Sequence, residues 1–208
     1  LVGEDFTRIR VDRAQNRDNC AGRCVFNDAG IVASPNFDAR PAGCEMSVIV
    51  IHAVSLPPGV FGGHYIRDFF LNRLDTSADP YFREIADLKV SAHLLIDRGG
   101  NLDQFVSTHS RAWHAGASCY AGTPACNDFS IGIELEGCDE RTFTEPQYTR
   151  LLSVISELLH WHPAIERHAI VGHSDIAPGR KTDPGPHFDW SRVRTDLQAG
   201  PTGGQRAV

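Results

Sequence analysis

No stretch of this 208-residue sequence is long enough and apolar enough to cross a membrane. The most apolar run, 47–54, is soon followed by Pro57, Pro58 and Gly59, whereas a membrane-spanning helix needs about 20 apolar residues. The first residues, LVGEDFTRIRVDR, alternate charges and lack the apolar centre of a signal peptide, so the expected location is the cytoplasm. A basic excess is also missing. Lys plus Arg number 20 against 26 Asp plus Glu, a net charge of −6 with His neutral, so nucleic acid is not an expected partner. There is no internal repeat and no linker that would split the chain. Cys20 and Cys24 have loose metal-ligand spacing but no matching second pair, and a chain of this length builds a core without disulfides. The six cysteines, Cys20, Cys24, Cys44, Cys119, Cys126 and Cys138, therefore read as reduced thiols.

What is present is ordinary for a soluble globular protein, with 41% hydrophobic and 22% charged residues, but it includes 10 His, 19 Gly and 12 Pro. The histidines invite a search for metal ligands; the glycines and prolines imply many turns. Residues 1–24 are charged, without a clear period, and read as an N-terminal extension. Residues 198–208, QAGPTGGQRAV, read as a disordered tail, leaving a single domain over 25–197. Within it, the β-branched run at 47–54 and SIGIELEG at 130–137 suit buried strands. The segments 92–97 and 102–106 flank Arg98-Gly99-Gly100-Asn101 as a hairpin. HAIVGH at 168–173 is a further short strand or the entry to a loop. The spacing predicts a helix over 145–161, opened by a Thr144–Gln147 capping box with Pro146 in its first turn. Its apolar stripe is Tyr148, Leu151, Leu152, Ile155, Leu158 and Leu159. Shorter helices are expected near 63–73, 79–87 and 189–197. The expected class is α/β, a central mixed β-sheet flanked by helices.

Five features carry the chemistry. His52 sits near the end of a buried strand; taken alone, a hydrogen-bonded core histidine is the more ordinary reading. The segment GHSDIAPGRKTDPGP, 172–186, holds His173, Asp175, Lys181 and Asp183 among three glycines and three prolines, a composition that reads as a constrained loop and not as a helix or central strand. His52, His173 and Asp183 form a two-His, one-carboxylate set, the donor pattern of a catalytic zinc with an open position. The two histidines are 121 positions apart, so only the fold can join them. In IGIELEG the alternation puts Gly132, Glu134 and Glu136 on one face, where a carboxylate could serve as general base or simply face solvent. Lys181, projecting beside Asp183 if that segment is extended, could stabilise an oxyanion or be a surface lysine. In RAWHAG, 111–116, Trp113 and His114 could line a pocket for a sugar or peptide, with a core tryptophan as the competing reading.

IVIHAVSLPPGVFGG, VSAHLLI, RAWHAG, CNDFSIGIELEG and GHSDIAPGRKTDPGPHFDW, in that order over roughly 29–195, closely resemble the recycling branch of the type 2 N-acetylmuramoyl-L-alanine amidases, within the peptidoglycan-recognition superfamily. The resemblance implies Zn2+ held by His52, His173 and Asp183, Glu134 as the acid/base residue and Lys181 as transition-state stabiliser. Phage-type relatives carry a Tyr where this chain has Ala92 and a Cys where it has Asp183, and both departures point to the recycling branch. The implied activity is hydrolysis of the amide bond between (1,6-anhydro-)N-acetylmuramic acid and L-alanine. Its substrate would be a small soluble anhydro-muropeptide, taken by a cytoplasmic monomer with neither nucleic acid nor membrane as partner. Lys89, Arg98 or Arg111 would meet the peptide carboxylates, with Trp113 and His114 beside the substrate. Two other readings stay open: an exported amidase acting on intact peptidoglycan, and a non-catalytic muropeptide-binding module, which would be expected to lack a zinc ligand.

Overall fold

The structure, a computed structural model, describes residues 25–199. The extension read over 1–24, with Cys20 and Cys24, and residues 200–208 of the tail lie outside the described residues. Among the described residues ten strands and five α-helices follow one another: β1 (Gly30–Ile31), β2 (Phe37–Asp38), β3 (Val48–Val54), α1 (Tyr65–Phe70), α2 (Pro80–Ile85), β4 (Leu94–Ile96), β5 (Leu102–Gln104), β6 (Arg111–Ala112), β7 (Cys119–Tyr120), β8 (Thr123–Pro124), β9 (Ser130–Glu136), α3 (Glu145–Trp161), β10 (Ile170–Gly172), α4 (His173–Ile176) and α5 (Trp190–Ala199). The last helix thus runs two residues into the stretch read as tail.

Six strands form one mixed sheet in the order β1-β5-β4-β9-β3-β10. Only the β4–β5 hairpin is antiparallel within it. That hairpin turns at Asp97, whose Oδ1 accepts the N–H groups of Gly99 and Asn101, while Gly100 takes a positive φ of 81°. β3 and β9 are central and pair in parallel along their full seven residues, from Val48 opposite Ser130 to Val54 opposite Glu136. β-Branched residues suit such strands, and alternate side chains go to opposite faces. Ile49, Ile51, Ile131, Ile133 and Leu135 therefore enter one core with Leu94, Ile96, α3 and α5. Val48, Val50, His52, Gly132, Glu134 and Glu136 fall on the other face, where α1 and α2 build a second apolar cluster and α4 a third.

The capping box of α3 is formed: Gln147 N–H donates to Thr144 Oγ1 at 3.3 Å and Thr144 N–H to Gln147 Oε1 at 3.1 Å. The buried face of α3 differs from the expected stripe. Leu152 and Leu159 are only partly buried, and Val154 and Trp161 take their place. The helix is rotated because Trp161 packs on Phe26, with ring centroids 4.5 Å apart. Packing outweighs capping here. A cap contributes about 1 kcal/mol, whereas truncating one fully buried residue such as Leu151, Ile155 or Leu158 costs about 2–5 kcal/mol.

The segment 172–186 also departs from expectation by opening with a helical turn, α4. Asp175 Oδ2 accepts the Gly172 N–H at 2.7 Å, and the prolines at 178, 184 and 186 all lie beyond the turn. The two-residue ribbons β2–β6 and β7–β8 were not legible, being too short to carry a period. Among the described residues the four cysteines, Cys44, Cys119, Cys126 and Cys138, are free thiols.

Beneath the sheet face that bears His52 lies His93, fully buried. Its Nδ1 accepts the Gly132 N–H at 2.9 Å and its Nε2 sits 3.1 Å from the Ser110 carbonyl. Burial, then the guanidinium of Arg40 and the neighbouring His162 and His52, push its imidazole down to about 3. The folded state therefore refuses a proton that the unfolded chain accepts below about pH 6.5. Stability is complete above that pH and falls as the pH drops toward 3. Denaturant titrations at pH 7, 6 and 5 should show this loss, and His93→Asn, which keeps an acceptor for Gly132, should flatten the slope by up to about 1.4 kcal/mol per pH unit. An unchanged slope would remove His93 from the account.

Candidate active site

β3 and β10 are parallel neighbours, with Gly172 opposite Ile51. The residues that follow, His173 at the start of α4 and His52 in β3, are thereby brought together near the C-terminal ends of the two strands. The Nδ1 atoms of His52 and His173 lie 2.9 Å apart, and Asp183 Oδ2 lies 3.2 Å from the first and 3.0 Å from the second. Both imidazoles are buried, and Asp183 is half-buried at the lip. The three residues also form the one metal-competent cluster found among the described residues.

This donor set fits a metal ion. The outer nitrogen of His173, Nε2, faces the Ala115 carbonyl at 3.1 Å, which can only accept; Arg180 Nη2 lies 3.3 Å from the same nitrogen but gives its two protons to the Ala115 and Ala117 carbonyls, so Nε2 carries the ring proton and the lone pair is on Nδ1. A lone pair, a second imidazole nitrogen and a carboxylate oxygen thus meet within one triangle. With bonds of about 2.0–2.1 Å, a tetrahedral zinc would separate its ligands by about 3.3 Å, close to the spacing found. Burial disfavours the charged form of His52 most strongly and pushes it down to about 4 despite Asp183. For Asp183 burial opposes ionisation, but the close contacts of its carboxyl with His173 and His52 outweigh it and hold the carboxyl well below the usual carboxylate range.

Glu134 lies directly opposite His52 in the β3–β9 register, on the same face. Its Oε2 is sealed from solvent and has no hydrogen-bond partner among the described residues. Burial raises its pKa well above the ordinary value, the Asp183 charge adds to this, and Lys181 partly offsets it. An unpartnered carboxyl that resists ionisation beside a candidate metal site has the chemistry to exchange a proton with a substrate or water. Lys181 is exposed, two residues before Asp183, with its backbone N–H on the Ala177 carbonyl at 3.1 Å; its charge acts on both His52 and Glu134.

The remaining sequence candidates fare differently. His114 contacts the cluster, with Nδ1 2.9 Å from His52 Nε2, but both its ring nitrogens are engaged inside the protein. It packs against His52 and leaves neither ring nitrogen open to a substrate. Trp113 is half-buried and serves the Asp38 carboxylate. Arg111 differs most from its expected role. Its Nε and Nη2 donate to Asp38 at 2.6 and 2.5 Å and its Nη1 to Asp128 at 2.9 Å, tying the β2–β6 ribbon to the 126–128 turn. Those two carboxylates occupy the guanidinium expected to meet a peptide. Arg98 donates from Nη2 to Thr142 O at 2.9 Å and lies over the Phe61 ring, while its buried Nη1 has no hydrogen-bond partner among the described residues. Lys89 is exposed between α2 and β4, and no hydrogen bond or ion pair joins it to the cluster among the described residues.

Three further residues support the site. Glu136 is buried, accepting Gly62 N–H at 2.5 Å and Arg98 N–H at 3.0 Å. Arg180 Nη2 donates to the Ala115 and Ala117 carbonyls at 2.6 and 2.8 Å, fixing the loop against His173. Asn127 Oδ1 accepts the N–H groups of His114 and Ala115 at 3.1 and 2.8 Å. Arg180 and Asn127 are single polar residues outside the strands and α-helices, with no period to mark them, whereas Glu136 ends β9 and was marked by its alternation.

A mixed sheet that closes a His-His-Asp triangle beside a buried glutamate has a counterpart among known proteins: residues 42–186 match the N-acetylmuramoyl-L-alanine amidase family, and the chain belongs to it. Within that family it is 49% identical over 174 residues to the 1,6-anhydro-N-acetylmuramyl-L-alanine amidase AmpD of Haemophilus influenzae, covering 84% of this chain and 95% of that one. A crystal structure of a selenomethionine derivative of AmpD superposes with a TM-score of 0.80 at 50% identity, covering 83% of this chain and 96% of its own. The Escherichia coli amidase AmiD, in complex with anhydro-N-acetylmuramic acid-L-Ala-D-γ-Glu-L-Lys, matches at 27% identity and a TM-score of 0.55, covering 76% of this chain and 60% of that one.

Proposed function

We propose that this chain is a zinc-dependent amidase that hydrolyses the bond between 1,6-anhydro-N-acetylmuramic acid and L-alanine in soluble muropeptides, in peptidoglycan recycling. The observation that carries the reading is the triangle of His52, His173 and Asp183 with Glu134 in register beside His52. The relatives named 1,6-anhydro-N-acetylmuramyl-L-alanine amidase, and the AmiD complex with an anhydro-muropeptide, support the substrate class. On this reading the substrate is small and soluble and the enzyme acts in the cytoplasm as a monomer; among the described residues no helix is long and apolar enough to cross a membrane.

Zinc held by His52, His173 and Asp183 would polarise the scissile carbonyl and acidify water to a pKa of about 7. Glu134 accepts the proton of the attacking water on its unpartnered oxygen and returns it to the departing alanine nitrogen. Lys181 places a positive charge toward the oxygen that becomes anionic. His114 and the Ala115 carbonyl hold the two histidine rings in place throughout.

Mass spectrometry of a digest of anhydro-N-acetylmuramyl tripeptide tests the reading. The expected products are the anhydro-sugar and the free peptide. Equal rates on intact sacculi would favour an exported, polymer-directed amidase, and an uncut substrate that still binds would favour a recognition module. Lys181 has its own test. Lys181→Ala should lower kcat by roughly 10²–10³-fold with KM little changed and zinc retained. Lys181→Arg should restore part of that loss, since the planar guanidinium places its charge differently. A large rise in KM at unchanged kcat would make Lys181 an anchor for a peptide carboxylate.

A further inference from the structure

The imidazole nitrogens of His52 and His173 that point away from the triangle are both engaged, and each hydrogen-bond path from them ends on a backbone carbonyl. A carbonyl only accepts, so it sets the polarity of everything leading to it. For His173 the path is one step, Nε2 to Ala115 O at 3.1 Å; Arg180 Nη2, 3.3 Å from the same nitrogen, has its two protons on the Ala115 and Ala117 carbonyls. For His52 it has three. His52 Nε2 lies 2.9 Å from His114 Nδ1, His114 Nε2 lies 3.3 Å from Ser130 Oγ, and Ser130 Oγ donates to Cys126 O at 2.5 Å.

The path resolves when followed back from its end. The single Ser130 hydroxyl proton is committed to the Cys126 carbonyl, so Ser130 Oγ accepts from His114 Nε2–H. The ring partners of His114 are an imidazole and a hydroxyl, neither of them anionic, so the ring is neutral and its Nδ1 carries a lone pair. That lone pair accepts from His52 Nε2–H, which leaves the lone pair of His52 on Nδ1, facing His173 and Asp183.

We propose that His114 is a positioning residue for the metal site: with Ser130 and the Cys126 carbonyl it holds His52 in the Nε2–H tautomer, leaving Nδ1 free to bind the cation. The inference rests on reading His52, His173 and Asp183 as a metal site. It matters because Asp183 Oδ2 is only 3.2 Å from His52 Nδ1. Without an acceptor behind the ring, that carboxylate draws the imidazole proton to Nδ1 and makes a donor where a metal needs a lone pair. Outer partners of metal-bound histidines generally act in this way.

The surroundings are built for the relay. A Cβ on Gly132 would stand 2.5 Å from His114 Cγ and 2.6 Å from its Nδ1, so only glycine in the central strand admits the ring. Asn127 holds the backbone N–H groups of both His114 and Ala115. One side chain therefore places the ring that serves His52 and the carbonyl that serves His173.

The test uses the full chain and two readouts, long-range 1H–15N spectra of the histidine rings in metal-free protein and zinc affinity by chelator competition. Wild type should show His52 as the Nε2–H tautomer. His114→Phe keeps a ring but no acceptor, and should move His52 toward Nδ1–H and weaken zinc binding by roughly 10–100-fold. His114→Gln, which can accept from His52 and donate to Ser130, should restore most of both, and Ser130→Ala should shift both part-way. His52 found as Nδ1–H in wild type, or unchanged tautomer and zinc affinity in His114→Phe, overturns the proposal. If the Phe variant fails to fold, unchanged tautomer and affinity in Ser130→Ala overturn it instead. A wild type that takes up no zinc while His52 remains Nε2–H refutes the metal reading and upholds the relay.

Discussion

Replacing His52 or His173 with alanine is expected to remove zinc and activity together. Each histidine supplies one corner of a triangle whose sides are 2.9, 3.0 and 3.2 Å. Losing a corner leaves two ligands, and it also takes from Asp183 one of the two imidazole contacts that favour its ionised form. The loss of affinity should exceed the roughly 100-fold that removal of an outer partner can cost. Metal analysis after dialysis should find about one zinc per wild-type chain and none in either variant, with hydrolysis falling in step. Chelation should also lower the unfolding temperature of the wild type and leave that of the variants unchanged, because only a state that binds the ion is stabilised by it. Full activity in rigorously metal-free wild type would sink the metal reading.

Glu134→Gln should retain zinc and lose roughly 10²–10⁴-fold in kcat, the range for general acid–base catalysis. The substitution keeps the size of the side chain and removes its proton-accepting oxygen from a position directly opposite His52. Glu136 provides the control. It lies two residues on, on the same face of β9, but its two oxygens accept the N–H groups of Gly62 and Arg98. Glu136→Gln turns an NH2 group toward one of those donors, so it should cost about 1–3 kcal/mol of stability and far less of the chemical step. Thermal unfolding and steady-state kinetics on the two variants separate the roles. If Glu136→Gln cripples turnover in a stable, zinc-loaded protein while Glu134→Gln does not, the assignment of the two carboxylates is reversed.

The local pattern of the chain determined its elements, and its residue types named the reactive groups. β-Branched runs marked β3 and β9, and the Thr144–Gln147 box opened α3, because these features are decided by neighbours a few residues away. Donor chemistry singled out His52, His173, Asp183, Glu134 and Lys181. That His52 and His173, 121 positions apart, meet at one strand end was decided by the strand order, through the parallel pairing of β10 with β3. The same pairing of β9 with β3 chose Glu134 over Glu136 as the group beside His52. Tertiary contacts also occupied Arg111 with Asp38 and Asp128, turned His114 inward to His52, and rotated α3 so that Trp161 meets Phe26. A sequence period reports which face of an element is buried; which partner lies across it, and which nitrogen of a ring keeps its lone pair, depends on groups brought together only when the sheet closes.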